Sequence, residues 1–112
     1  MRYRKLISMN DFFRHVFLAF VRVHLLYHAA EGPICGVEMM EELARHGYTL
    51  SPGTLYPIFH EMEAAGYLTC ERQVVHGKVR KYYCSTEAGR AALREVQPKI
   101  RELVGEVLEQ SK

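Results

Sequence analysis

The stretch from Leu50 to Leu68, LSPGTLYPIFHEMEAAGYL, restricts the fold of this chain more than any other. Ser51 is a residue type that caps helices, because its hydroxyl can accept from a free N–H of the first turn, and Pro52 suits the first helical position. Apolar side chains then recur at the spacing of one helix side: Leu55, Ile58, Phe59 and Met62. Gly66 is a residue type that ends helices. The stretch therefore predicts a helix over 51–66 with one apolar side.

A shorter helix is predicted just before it, over 35–46, and only its cap residue Gly47 and the connector 48–50 separate the two. Its expected inner side is Val37, Met40, Leu43 and Ala44. Two short helices joined so closely form a helix-turn-helix, and we interpret 51–66 as a recognition helix that offers its N-terminus to DNA. The expected contacts on this helix are Ser51 and Thr54 at phosphates, and Tyr56 and His60 at base edges.

Past Gly66 the period of the sequence changes to that of strands. Residues 67–75 and 79–84 are rich in β-branched and aromatic types, and His76-Gly77-Lys78 between them is predicted to be the loop of a hairpin. This hairpin is basic and is interpreted as a wing. Its expected DNA contacts are Arg72, His76, Gly77, Lys78, Arg80 and Lys81. Each phosphate that such cations neutralise makes binding more sensitive to salt. A solvated strand face is the alternative interpretation of the same cations.

Two longer helices are predicted to flank this core. The first, over 11–30 with Asp11 as its N-cap, is apolar on more than one side, so it needs burial on two sides, and a second subunit is the simplest cover. The last, over 86–111, begins at Thr86 and should continue through Pro98 as one kinked helix with a heptad-like apolar row. The expected homodimer contacts are Phe13, Phe17, Phe20, Leu93, Val96, Ile100, Leu103 and Val107.

Length and composition fit one domain, 1–112, with dimer helices at 11–30 and 86–111 around a core at 31–85. The chain has 112 residues, a net charge of +2 and 48% hydrophobic residues, as in an ordinary globular domain. Its longest uncharged apolar run near the N-terminus, Val16–Val21, is too short for a membrane span, and no cleavage site follows it. We therefore expect a cytoplasmic protein. No catalytic set with a recognisable local context is present, so an enzyme is not predicted.

Two residue groups leave more than one interpretation open. Phe12, Phe17, Phe20 and Tyr27 can line a pocket for a flat apolar effector, or they can be core. His24 and His28 are four residues apart and share one helix side, so they can bind a metal, with Cys35 or His15 as a further ligand. No third ligand has a fixed spacing, and therefore neither a metal nor a cofactor is predicted.

The three cysteines are an odd number without C-x-x-C spacing, which disfavours a disulfide framework or a structural zinc site. Under a three-residue hairpin loop, Cys70 and Cys84 would stand directly opposite each other. A redox switch at this pair is one interpretation, and two buried structural thiols are the other.

The order of helices and strands is that of a winged helix: a mainly α fold with a small β-hairpin wing and long terminal helices. At this level the sequence resembles the PadR family of bacterial transcriptional regulators, over roughly residues 17–110. The resemblance depends on LSPGTLYPIFHEMEAAGYL, on RKYYCSTEAG at 80–89 and on EGPICG at 31–36. The short C-terminal part is similar to the subgroup that ends in one helix. Cys35 and Val37 stand where family members usually have His and Tyr.

The resemblance implies a dimeric repressor that leaves its operator when an effector binds. Together with the residue patterns it favours a sequence-specific regulator of transcription, bound to double-stranded DNA at an inverted repeat. A protein-interaction module without specific DNA binding is the alternative, motivated by the acidic 35–46 helix and by Glu61 and Glu63. A metal- or redox-responsive variant of the regulator is a further one.

Overall fold

The computed structural model describes residues 9–109 and contains four helices and one hairpin in that range. The elements in chain order are α1 (Met9–Glu31), α2 (Gly36–Arg45), α3 (Pro52–Ala64), β1 (Leu68–Val75), β2 (Lys78–Ser85) and α4 (Glu87–Val107). The prediction of a mainly helical winged-helix fold is confirmed. Residues 110 and 111 of the predicted last helix lie outside the described range.

One apolar core joins the helix-turn-helix to the wing. The inner side of α3 is buried as predicted, and Phe59 stacks on Tyr83 of β2 with 4.3 Å between ring centroids and an interplanar angle of 1°. Both rings are fully buried. Burial raises the pKa of Tyr83 to about 12. An isolated bridge between Ile34 and Tyr83 also connects the segment before α2 to β2, so the wing is fixed to the core along one edge.

Both helices of the helix-turn-helix end in the same way. Gly47 and Gly66 have φ angles of +91° and +87°. In each case the N–H of the glycine and the N–H of the next residue donate to backbone carbonyls in the last turn of the helix. This Schellman arrangement needs a residue that tolerates positive φ, as glycine does. The prediction that Gly66 ends the recognition helix is therefore confirmed.

The beginnings of two helices differ from the predictions. Ser51 is at the N-cap of α3, but its hydroxyl makes no cap hydrogen bond and instead lies 3.4 Å from the Thr54 hydroxyl. The N–H groups of Thr54 and Leu55 already donate to the Ser51 backbone carbonyl, so the side chain is not needed there. Helix α1 begins at Met9, which places Asp11 in its first turn and not at the N-cap.

The inner side of α2 is rotated by about one residue from the predicted one. Gly36, Met39 and Leu43 are buried, whereas Val37 and Ala44 are exposed and Met40 is half-buried. The predicted and the observed inner sides both consist of residues spaced three or four apart, as on one side of a helix. Periodicity alone therefore could not choose between them.

The hairpin turn has two residues, not the predicted three. His76 and Gly77 have φ angles of +52° and +77°, as in a type I′ turn, and Val75 pairs with Lys78. In this register Cys70 is opposite Tyr83, and Cys84 is opposite Thr69. The two thiols therefore project from opposite faces of the hairpin, and the predicted direct pairing of Cys70 with Cys84 is wrong.

Helix α4 is a single helix that continues through Pro98, as predicted. Thr86 caps it: its Oγ1 accepts from the Gly89 N–H at 2.9 Å and donates to the Gly66 carbonyl at 2.6 Å. The cap thus ties the start of α4 to the end of the recognition helix. Hydrogen bonds from Arg90 and Arg94 lower the pKa of Glu87 in the first turn.

We expect Gly89→Ala to destabilise the protein by roughly 1–3 kcal/mol, the usual cost of overpacking. A Cβ at position 89 would overlap the Tyr67 carbonyl oxygen, which is backbone and cannot rotate away, and would lie 2.9 Å from Ser85 Oγ. The matched control is Gly105→Ala in the same helix, where a Cβ meets nothing within 4 Å. Alanine should stabilise that position by roughly 0.5–1 kcal/mol through helix propensity. Urea unfolding of both variants tests this, and equal midpoints would contradict the account of Gly89.

Candidate nucleic-acid interface

An open groove of about 570 Å³ separates the start of α3 from the wing. One wall is formed by Tyr56 and His60 of α3, and the other by residues 78–81 of β2. Residues 35–37 also line the groove. The groove is therefore the place where the recognition helix and the wing present side chains to the same space.

Five of the ten predicted DNA contacts line this groove: Tyr56, His60, Lys78, Arg80 and Lys81. Ser51 and Thr54 lie at the N-terminus of α3, outside the groove lining. Arg72 is directly opposite Lys81 across the hairpin, while His76 and Gly77 form its tip. The two elements predicted to contact DNA thus converge on this groove, and the other five predicted contacts lie outside its lining.

Two of these residues, Tyr56 and Arg80, are less exposed than the sequence suggested. Tyr56 was expected to point outward, but it is half-buried, packs against the core and covers Gly36, where any Cβ would collide with its ring. Arg80 is half-buried too, with Nη1 4.0 Å from the Cys35 thiol. The sequence did not predict that residues 35–37 line the groove. The EGPICG block at 31–36 was the signal that could have indicated it. A side chain at position 36 would displace the Tyr56 ring, which lies against the Gly36 backbone.

The electrostatics of the groove are positive. Among residues 9–109, none of the wing cations Arg72, Lys78, Arg80 and Lys81 forms an ion pair. Glu61, which lies further along α3, accepts from Arg22 of α1 with 2.8 Å between Oε1 and Nη2. Arg22 thus partly compensates the negative charge of Glu61, away from the groove. Glu61 therefore repels an anion in the groove less than the sequence alone indicated.

The sequence profile of the transcriptional regulator PadR-like family matches residues 25–95, which contain the whole helix-turn-helix and wing. The chain belongs to this family. It is 51% identical over 90 residues to the transcriptional regulator Rv3488 of Mycobacterium tuberculosis, covering 80% of this chain and 84% of that protein. A PadR family transcriptional regulator from Eggerthella lenta is 30% identical, with a TM-score of 0.75 over 91% of this chain and 93% of the other.

A PadR-like transcription factor from Bacteroides fragilis has a TM-score of 0.73 over 91% of this chain and 99% of the other, at 21% identity, and so supports the fold alone. The profile match and the more similar relatives make this chain a transcriptional regulator of the PadR family. The resemblance drawn from the three sequence blocks is thereby confirmed. No helix among residues 9–109 is long and apolar enough to cross a membrane.

A second cavity, of about 930 Å³, lies where α1, the end of α2 and α4 meet. Two of the four predicted effector-pocket residues, Phe20 and Tyr27, line it. Phe17 is instead packed on Tyr48, with 4.9 Å between ring centroids, and Phe12 is exposed beside Phe13 near the start of α1. The four predicted residues therefore do not share one cavity, since two of them line it and two do not.

Three histidines form one wall of this cavity. His24 and His28 are on α1, and His46 is the C-cap residue of α2. The ring centroids of His24 and His46 are 5.0 Å apart, and Glu42 Oε2 lies 2.9 Å from His46 Nε2. Burial, then the nearby His46 and His28, lower the pKa of His24. The further ligands considered from the sequence, Cys35 and His15, are not in the cluster, and His46 takes that place.

The predicted dimer residues fall into two groups. Phe17, Leu93 and Val96 are half-buried within the chain. The others are exposed, from 40% for Ile100 to 63% for Val107: Phe13, Phe20, Ile100, Leu103 and Val107. The chain is also extended, with a radius of gyration of 16.6 Å, where a compact domain of this length has about 13 Å. Apolar side chains thus stay uncovered along α1 and α4, and all of these exposed residues except Phe13 also line the cavity between the two helices.

Proposed function

We propose that this PadR family regulator represses transcription by binding double-stranded DNA with the groove between α3 and the wing. The single observation that carries the proposal is the convergence of the recognition helix with the uncompensated cations of β2 on that groove. The helix N-terminus favours a phosphate at Ser51 and Thr54, and Lys78 and Lys81 favour phosphates on the other side. His60 is exposed and is the better placed of the two expected base readers, because Tyr56 is half-buried.

The repressor acts as a homodimer in this proposal. The uncovered apolar row on α1 and α4 supports a second copy as its cover, since exposed apolar patches of this kind mark protein interfaces. Two-fold symmetry would present two identical recognition helices, so the operator is an inverted repeat whose half-sites lie one helical turn of DNA apart, or a multiple of it. The cytoplasm, where the chromosome of a bacterium lies, is the corresponding compartment.

Release from the operator follows the binding of an effector in the cavity between α1 and α4. Its volume of about 930 Å³ falls in the range of ligand pockets, roughly 300–1,000 Å³, and its lining is mostly apolar and aromatic. Phe20 and Tyr27 suit a flat apolar compound. The cavity contacts the end of α2, so an occupant can alter how the helix-turn-helix sits on the dimer helices. The proposal assigns no enzymatic activity to the chain.

A protein-interaction module is the competing proposal, and one experiment separates the two. The purified regulator is mixed with random double-stranded DNA at low and at moderate salt, and the retained fragments are sequenced. Recovery of an inverted repeat at both salt concentrations supports the repressor and supplies its operator. Retention that is independent of sequence and lost at moderate salt supports an architectural DNA-binding protein. No retention at either salt concentration supports the interaction module.

A further inference from the structure

The three-histidine wall of the second cavity is the arrangement that the proposed repressor function leaves unused. His24, His28 and His46 each offer one ring nitrogen, and these three atoms lie within 4.8 Å of one another. The residues come from two helices, so the cluster is a product of the way α2 docks on α1. His24 and His28 are half-buried and His46 is exposed, so their rings have room to turn toward a common point.

We propose that His24, His28 and His46 bind one divalent transition-metal ion of the zinc class. Nitrogen ligands of Zn²⁺ stand about 2.0–2.1 Å from the ion, so a shared ion needs the three nitrogens somewhat closer than they are now, which small side-chain rotations supply. Imidazole favours Zn²⁺, Ni²⁺ or Cu²⁺ over Mg²⁺ and Ca²⁺, which prefer oxygen ligands. Three protein ligands leave the fourth position to water or to a compound in the cavity.

Glu42 acts in this site as a positioning residue. Its Oε2 is 2.9 Å from His46 Nε2 and 3.7 Å from His28 Nε2, while Arg45 holds Oε1. Ligating histidines usually give their other ring N–H to a carboxylate, which fixes the ring orientation. The Glu42 carboxylate therefore orients His46 directly and lies beside His28 without a hydrogen bond to it, and the Glu42–Arg45 pair anchors this support to α2.

The position of the ion couples it to the DNA-binding half of the chain. His46 is the C-cap residue of α2, and Gly47 and the connector 48–50 then lead into the recognition helix. An ion held by His24 and His46 would tie α1 to this point. A change in DNA affinity on metal binding rests on the proposed repressor function, but the metal site itself does not.

Metal binding is tested on the full chain without DNA, after removal of metal with EDTA. Isothermal titration with Zn²⁺ should give one ion per chain, and Co²⁺ should give the visible absorption of a four-coordinate site. His46→Gln, at an exposed position that leaves the fold intact, and His24→Ala should each weaken Zn²⁺ binding at least 100-fold. Glu42→Gln should weaken it by roughly 10–100-fold, as loss of an outer-shell partner does. A Zn²⁺-dependent rise in Tm should vanish in the same variants.

The matched controls are His15→Ala and His60→Ala, since both histidines are exposed and neither belongs to the cluster. They should bind Zn²⁺ as the unsubstituted protein does. Wild-type affinity in His46→Gln, equal losses in the controls, or no binding of Zn²⁺ at micromolar concentration would each overturn the proposal. Because no DNA is present, these results stand apart from success or failure of the repressor proposal.

Discussion

Replacing Lys78 and Lys81 with alanine is expected to abolish most DNA binding at 0.1 M salt. Each phosphate contact contributes a slope of about −0.9 to log K against log[salt], so two lost contacts lower affinity by roughly 60-fold per subunit at this concentration. A dimer that loses four contacts should weaken by roughly 10³–10⁴-fold, and its salt slope should flatten by about 3.6. Fluorescence anisotropy with a labelled duplex between 50 and 200 mM salt measures both quantities.

Both lysines are exposed and free of ion pairs within the described chain, so the fold should survive their loss. Arg80 is left in place because its contact with Cys35 gives it a structural role as well. The matched control is Lys99→Ala with Arg101→Ala, which removes the same charge from exposed positions of α4. Equal losses in the two double variants would reveal an effect of net charge alone, and the wing would then have no specific contact with DNA.

The recognition helix was predictable because several local signals agreed over a short stretch. Ser51 and Pro52 at its start, an apolar side at helical spacing and Gly66 at its end all point to the same bounds. The hairpin was predictable in type but not in register. Lys78 suits a loop as well as a strand, and a positive φ such as that of His76 is uncommon for any residue other than glycine. One residue of error in the turn then reversed the face of every later side chain, including Cys84.

The residues of the groove between α3 and the wing were largely predictable, whereas the histidine cluster was not. Tyr56, His60 and the wing cations are local features of two neighbouring elements. His46 is 18 residues beyond His28 and shares no element with it, so only the docking of α2 on α1 brings it to the pair. The burial of Tyr56 likewise depends on its contact with Gly36 in another helix. The spacing of residues in the sequence predicts which side chains are neighbours within one helix or strand. Contacts between different helices and strands can be known only from the fold.

Placing a carboxylate in the apolar row of α4, by Ile100→Glu, is expected to convert the proposed dimer into monomers. Ile100 is 40% exposed in the single chain, so the monomer can solvate the new charge. At a two-fold interface each subunit would instead bury an unpaired carboxylate, and an uncompensated buried charge costs about 3–5 kcal/mol. The dimer dissociation constant should therefore rise by roughly 10³-fold or more. Analytical ultracentrifugation over a range of protein concentrations measures the change.

Arg101→Gln is the control for this variant, because it also lowers the net charge by one and its exposed side chain lies off the apolar row, about 100° further around the helix. It should sediment as the unsubstituted protein does. Loss of DNA binding should accompany loss of the dimer in Ile100→Glu, since one recognition helix alone reads only half of an inverted repeat. If Ile100→Glu keeps its dimer with unchanged far-UV circular dichroism, then the apolar row of α4 is not part of the dimer interface, and α1 must supply it.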